Sequence, residues 1–411
     1  MTTLADDKLL NLEPAAAEAL AAALGEPDWA LQVRRTGLAS WEALPYPKNT
    51  DEEWRRTDPE RFRPEGRRIV TVAPTFETPA DGPGPIRMPL AEALQQDPEA
   101  RGRLFGAEHH TQEKFSALNA AYRSGGAWVR IPHDQSIQAP LRATHHVPAT
   151  PAGPSAFFPH SVVVAGRNSR ATVVEYFDSE AGDLMAAPVL EAHLEEGAQL
   201  QYVVVYRWGE GARAMTRFHA RLEKDAHLRV LFLGVGGAMT KNFMTGDLVG
   251  TGAKSEMLGL VFAAGRQHFD VDTLHNHLVA NTASDVLFNC ALNDRSRTIF
   301  TGNIFVAPQA QKTDAYQKSR NLLLSDKARA DAMPKLEILA NDVRCTHGAT
   351  FTTYDRDQQF YLQSRGLKDA DARRLIITGF FQEVIERLEG PELVDWLAGL
   401  MQEKMEASLG S

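Results

Sequence analysis

From Ala127 onward the chain alternates short apolar runs with Gly, Asn, Asp or Pro. Trp128–Ile131, Ser161–Ala165, Ala171–Tyr176, Leu200–Tyr206, Phe218–Leu222, Leu228–Leu233 and Met257–Ala263 are such runs. Side chains alternate across a strand, so short runs bounded by turn residues predict strands. No helical period interrupts them up to residue 354. Such a region is a sandwich, a barrel, a propeller or a solenoid. Turn signals at Gly166-Arg-Asn168, Glu196-Gly197, Lys224-Asp225 and Gly252-Ala-Lys254 precede strands at comparable offsets. That spacing favours stacked coils, in which each rung buries its neighbour.

The flanks read differently. Residues 13–24 predict a helix, with Pro14 in its first turn and Gly25 at its stop. A second helix is predicted from Asp28 to Leu44. Residues 57–87 are rich in Pro, Gly and Arg and read as a linker, with at most a short strand at Arg68–Val72. Residues 88–124 read as helical again. After the strand region, Asp355–Arg365 predicts a short helix ended by Gly366. A longer helix runs from Asp369 to Leu388, where Asp369 and Asp371 complement the N-terminal dipole. Gly390-Pro391 ends it and starts another. Ile377, Phe381 and Val384 share an apolar face on the first of these, Leu397 and Met401 on the second. Such faces pack on their own β region or are offered to a partner; spacing alone favours the former. The expected organisation is therefore a helical region over 1–126, a β core over 127–354 and a helical region over 355–411.

Composition narrows the function classes. The 411 residues are 43% hydrophobic and carry a net charge of −9 with both signs interspersed. That argues against a nucleic-acid surface. No apolar run reaches the roughly 18 residues of a membrane span, and Met1–Asp7 lacks the features of a secretion signal. The two cysteines, Cys290 and Cys345, form no disulfide framework, so a reducing cytoplasm with free thiols is the expectation.

Candidate chemistry centres on Asp342-Val-Arg-Cys-Thr-His-Gly348. On a strand, Cys345 and His347 project from one face. A thiol beside an imidazole binds a soft metal, or the imidazole holds the thiol as thiolate. Equally, Cys345 can be a small buried hydrophobe and His347 a hydrogen-bonded core residue. A second candidate is His275-Asn-His277, with His268 and Asp270 nearby, as the ligand set of a stand-alone β-helical metalloenzyme. Thr251-Gly-Ala-Lys-Ser255 imitates the end of a phosphate loop, but Ala253 and Leu248 stand where that motif needs glycine. The chain thus has no nucleotide site of that type.

Several segments carry a family resemblance: Phe300–Val306, Ala310–Gln317, Asn321–Ser325, Pro334–Ile338, Asp342–Thr350 and Phe360–Gly366. They resemble the SufB/SufD family, subunits of the SUF iron–sulfur cluster assembly scaffold. Cys345-Thr-His-Gly-Ala349 is similar to the SufD branch. The resemblance implies a right-handed parallel β-helix flanked by N- and C-terminal α-helical regions, and a scaffold rather than an enzyme. It implies a SufB-like partner met through a β-helix edge, and an ABC-type ATPase, SufC, met through the C-terminal helices. The isolated chain could pair with itself instead. Ile377, Phe381, Val384, Leu397 and Met401 are then the expected ATPase contacts. Cys345 and His347 become the expected site for iron or a transient cluster shared with SufB, His347 being the stronger ligand. Four ligands are the norm for a cluster, so two cysteines cannot hold one alone. A purely structural subunit is the remaining alternative.

Overall fold

The computed structural model describes residues 10–11, 13–77, 84–103, 113–149 and 153–409. The reading of residues 1–9, part of the linker (78–83) and part of the expected 88–124 helical stretch (104–112) lie outside the described residues. Parallel strands fill the middle of the chain and alternate between two sheets, one of thirteen strands and one of nine. On the first face lie Arg213–Leu222, Met239–Leu248, His268–His277, Arg297–Val306 and Arg329–Ile338. On the second lie His227–Gly234, Lys254–Ala263, Ala283–Leu292, Asp314–Leu323 and Arg344–Thr353. Each pairs in parallel with the strand one full coil away. This is a parallel β-solenoid.

The stacking has a visible cause at one corner. Asn168, Gly197, Asp225, Gly252, Asn281 and Lys312 all take left-handed φ, between 54° and 82°. Each of the first five donates its backbone N–H to the next coil, and so does Lys312, to Asp342 O. A Cβ at Gly197 would collide with Asn168 Oδ1, and one at Gly252 with Asp225 Oδ1. The corner therefore alternates glycine with Asn or Asp, residues that tolerate this backbone. These are the turn signals that the sequence spaced at comparable offsets.

Inward side chains of both faces form one core, including Val230, Phe232, Val271, Val286, Phe288 and Phe300. The N-terminal end is closed. Ile86–Pro89 pairs antiparallel with Ala127–Ile131, and Thr75–Phe76 with Leu141–Val147. Helices α1 (Pro14–Ala23), α2 (Asp28–Ala43), α3 (Leu90–Gln96), α4 (Pro98–Arg103) and α5 (Lys114–Tyr122) accompany this end, α5 being buried from Phe115 to Tyr122. The C-terminal end is open. Among the described residues, Arg329–Ile338 and Arg344–Thr353 each pair with one strand. Helices α6 (Arg356–Ser364), α7 (Asp369–Ile385) and α8 (Pro391–Leu409) complete the chain.

Three buried histidines make the fold acid-sensitive. Burial pushes His275 down to about 3, with His277 adding to the effect. Burial also lowers His277 to about 4, and lowers His268 to about 4 together with Arg297 and Lys241. Folded pKa values below the unfolded 6.5 mean that the unfolded chain takes up protons first. The stabilisation is full above pH 6.5 and is lost as pH falls through 4, about 2 kcal/mol per histidine by pH 5. Asp272, raised to about 6 by burial, works the other way and returns about 1 kcal/mol at pH 5. Urea titrations at pH 7, 6 and 5 should show stability falling by several kcal/mol; a flat profile would contradict this account.

Candidate functional site

The sequence-predicted pair sits on the last rung. Cys345 is in register with Ala315 and His347 with Gln317. Those two in turn align with Ser284 and Val286, and Val286 belongs to the inner core. By the period of two, Cys345 and His347 therefore continue rows that line the inside of the solenoid. Among the described residues no further rung covers them, so this inside row is reachable from the open end. Cys345 is half-buried and packs against a cluster that includes Ile304, Val306 and Ala315. Burial, and then the Asp314 carboxylate, push its thiol up. His347 is exposed. No hydrogen bond joins them, so the imidazole does not hold the thiol as thiolate. Cys290 lies deeper on the inner face, pushed up to about 12 by burial, and takes no part.

The alternative histidine set is not brought together. His275 and His277 point inward and are fully buried. His275 Nε2 meets Ser255 Oγ at 2.8 Å, and His277 meets Thr282 Oγ1 at 2.7 Å and Ser284 Oγ at 2.9 Å. His268 differs from them in parity and faces outward, where Nε2 meets Thr57 Oγ1 at 2.8 Å. The expected ligand set of a stand-alone metalloenzyme is thus divided between two sides of one sheet. Among the described residues, no group of three or more His, Cys, Asp or Glu is arranged to hold a metal ion. Cys345 and His347 offer two donors, and a bound iron would need the others from outside these residues.

The C-terminal helices pack on the chain's own β region, the alternative that spacing favours. Ile377, Phe381, Val384, Leu397 and Met401 are all buried. They pack on the outer side of the second face, against a cluster with Leu231, Leu233, Leu258, Leu260, Phe262 and Leu287. The five expected ATPase contacts are therefore spent on the chain's own sheet, because that sheet is apolar on both sides and needs a cover. The exposed apolar side chains of this region are Phe360, Tyr361 and Leu375, 72%, 57% and 52% exposed.

Comparison with known proteins gives the arrangement its context. Residues 147–380, more than half of the chain, match the model of the SufBD core domain of SUF-system FeS cluster assembly. The chain belongs to the SufBD family. An iron–sulfur cluster assembly SufBD family protein of Mycobacterium tuberculosis is 30% identical over 375 residues, covering 89% of this chain and 91% of the relative. The assembly protein SufD of Bacillus subtilis is 28% identical, covering 72% of this chain and 67% of the relative. SufB of the same organism is 23% identical, covering 73% and 64%. A role in iron–sulfur cluster assembly follows for this SufBD-family chain.

Two features around the last rung escaped the sequence reading. One is a strap: the segment from Glu52 to Thr57 crosses the outer side of the first face. Glu52 pairs with Lys335 on the last rung, Arg56 lies 4.0 Å from Asp331, and Thr57 bonds Asp270 and His268. Beneath it, Lys241 Nζ lies 2.9 Å from Asp270 and also bonds Asp272, all inside a buried network. The other is Gln317, directly below His347, whose Nε2 donates to Lys335 O at 3.2 Å on the opposite face. Parity in Ala315-Tyr-Gln317 would have flagged a polar residue on the inner row.

Proposed function

We propose that the chain is a SufD-like, non-catalytic scaffold subunit that builds iron–sulfur clusters together with a SufB-like subunit and the ATPase SufC. The observation that carries this reading is the open last rung bearing Cys345 and His347. An uncovered strand edge presents unpaired N–H and C=O groups, and natural proteins leave it so chiefly where another chain adds to it. Ile338, Leu339 and Phe351, 37%, 54% and 49% exposed, border that edge. The partner edge would bring the missing ligands to iron or to a nascent cluster, which is cargo rather than a resident cofactor. A site split between two chains releases its cargo more readily than a closed cage of four thiolates. The greater identity to SufD than to SufB supports the branch, as does the Cys345–Ala349 pattern. A cytoplasmic setting suits free thiols.

SufC would meet the exposed side of α6 and α7 rather than the buried five. Helix α7 bears on the site through Glu383, which pairs with Lys318 at 3.0 Å and Arg320 at 2.6 Å. Those residues lie on the strand next to Cys345 and His347, so a rigid-body movement of the helices would reach the last rung. Co-expression with SufB-type and SufC-type subunits tests the reading. A three-subunit complex that assembles a cluster, beside an isolated chain that carries none, is the expected result; a chain that ignores both subunits would refute it.

A finer test addresses the edge. Phe351→Asp puts a charge into the proposed contact at an already exposed position. The fold should keep its stability to within about 0.5 kcal/mol, while the SufB-type subunit should no longer co-elute. Unchanged co-elution would move the interface elsewhere.

A further inference from the structure

One buried cluster inside the solenoid lies far from the open end. His145, Glu175 and Tyr202 stand on consecutive paired strands of the second face, Leu141–Val147, Arg170–Ser179 and Gln199–Arg207. By parity each shares the inner side with a core residue of its own strand, Leu141, Val173 and Val204. All three are 0% exposed. His145 Nε2 lies 3.9 Å from Glu175 Oε2, beyond hydrogen-bond distance. Among the described residues, neither oxygen of Glu175, neither ring nitrogen of His145 nor the Tyr202 hydroxyl has a hydrogen-bond partner. The ring is not free to turn toward the carboxyl. It is stacked on Phe177, with centroids 4.4 Å apart and planes 7° from parallel. The neighbours of Glu175 in register, Ala143 and Val204, carry no polar side chain. Burial, and then Glu175, push the Tyr202 phenol well above its ordinary range, so it stays a hydroxyl. A carboxyl buried without a donor is among the costliest arrangements in a core, and such groups as a rule find a partner.

We propose that this cluster is an internal hydration site: a water molecule between Glu175 and His145 donates to the carboxyl, pairs with the ring nitrogen and is reached by the Tyr202 hydroxyl. A water about 2.8 Å from each of two atoms bridges the gap of 3.9 Å. The donor set selects water because water both donates and accepts. Glu175 needs a donor, the Tyr202 hydroxyl needs an acceptor, and a neutral imidazole offers one of each. A metal ion would find only His145, Glu175 and a phenol that keeps its proton. Buried waters make about three hydrogen bonds to groups that otherwise lack partners, and three side chains meet here. Room comes from Ala143, a single methyl in a row with Leu141 and Val147. The water lets a carboxyl stay inside the solenoid, many coils away from Cys345 and His347.

A crystal structure of the native full chain, at a resolution that shows ordered water, is the direct test. One peak is expected at hydrogen-bond distance from both Glu175 and His145, without anomalous signal at the iron or zinc edge. Glu175→Gln keeps polar contacts and should keep the peak. Glu175→Met is of similar length, offers no such contact and should lose it. In solution, oxygen-17 relaxation dispersion should count about one fewer long-lived water in Glu175→Met than in Glu175→Gln. If Glu175→Met does not fold, the native map still decides. A native map in which Glu175 bonds His145 or Tyr202 directly, with no peak between them, overturns the proposal. An anomalous signal at the peak does the same, as does an equal count of long-lived waters in the two variants.

Discussion

Removing everything after Gly366 is expected to leave a solenoid that does not stay soluble. The cut deletes α7 and α8, whose buried side chains include Ile377, Phe381, Val384, Leu393, Leu397, Leu400, Met401 and Met405. Each large apolar side chain fully buried contributes about 1.5–3 kcal/mol. Together they match or exceed the roughly 5–15 kcal/mol that keeps a domain folded. The outer side of the second face would then offer Leu231, Leu233, Leu258, Leu260 and Phe262 to water, a contiguous patch that invites aggregation. The charged seam would go as well: Glu383 with Lys318 and Arg320, and Arg387 with Asp285 at 2.6 Å. Expression followed by centrifugation and size exclusion reads the result. A soluble monomeric product with native circular dichroism would show that the helices are an appendage. The contrast is Phe360→Asp with Tyr361→Asp on α6, which has no buried residue. That double variant should stay folded and lose the ATPase.

The contrast marks what the sequence could and could not say. Strand texture from Ala127 and helical texture after Asp355 were both legible, because periods of two and 3.6 differ within a single run. The corner was half legible: its Gly, Asn and Asp residues announce turns, while their stacking needs the register between coils. Cys345 and His347 were legible as a pair, since spacing alone puts them on one face. That this face looks into the solenoid was not, because parity is known only once a neighbour such as Val286 is seen in the core. The C-terminal helices were legible in part, since spacing favoured packing on the chain's own β region, where Ile377, Phe381, Val384, Leu397 and Met401 lie. An apolar stripe on a helix reports that something covers it, and says nothing of whether the cover is the same chain. For His268, His275 and His277 the limit was parity. Proximity in sequence suggested a ligand set, yet an odd separation sends His268 to the other side of the strand.

A similar economy explains the closed and open ends. A solenoid must cap each end or pair it, since each coil buries only its neighbours. Here α1–α5 and antiparallel strands close the first end. At the other, the last two strands have no such cover, and Glu52 and Arg56 reach Lys335 and Asp331 only from the side. The strap steadies the outer side of the rung and leaves its edge free. This division suits the proposed pairing, in which the rung would keep its shape while another chain adds to its edge.

Replacing His347 by alanine is expected to leave that rung intact and to reduce cluster formation about tenfold or more in the assembled complex. His347 is exposed and forms no hydrogen bond within the chain, so truncation should change stability by no more than about 0.5 kcal/mol. What is lost is an imidazole donor, and a shared cluster short of one ligand is both harder to form and easier to lose. Cys345→Ser should behave in the opposite balance. Its side chain packs against a cluster that includes Ile304 and Ala315, and a hydroxyl there without a partner costs about 1–3 kcal/mol. Its thiol, pushed up by burial and by Asp314, reaches the thiolate form only when a metal displaces the proton. The serine variant should therefore lose some stability and less cluster. Each variant is purified with its partners, all subunits are confirmed by gel, and cluster absorbance and transfer to an acceptor protein are measured. A His347→Ala complex with native yield would make the pair structural. A Cys345→Ser complex that loses more cluster than His347→Ala, at equal subunit content, would make the thiol and not the imidazole the principal donor of this chain.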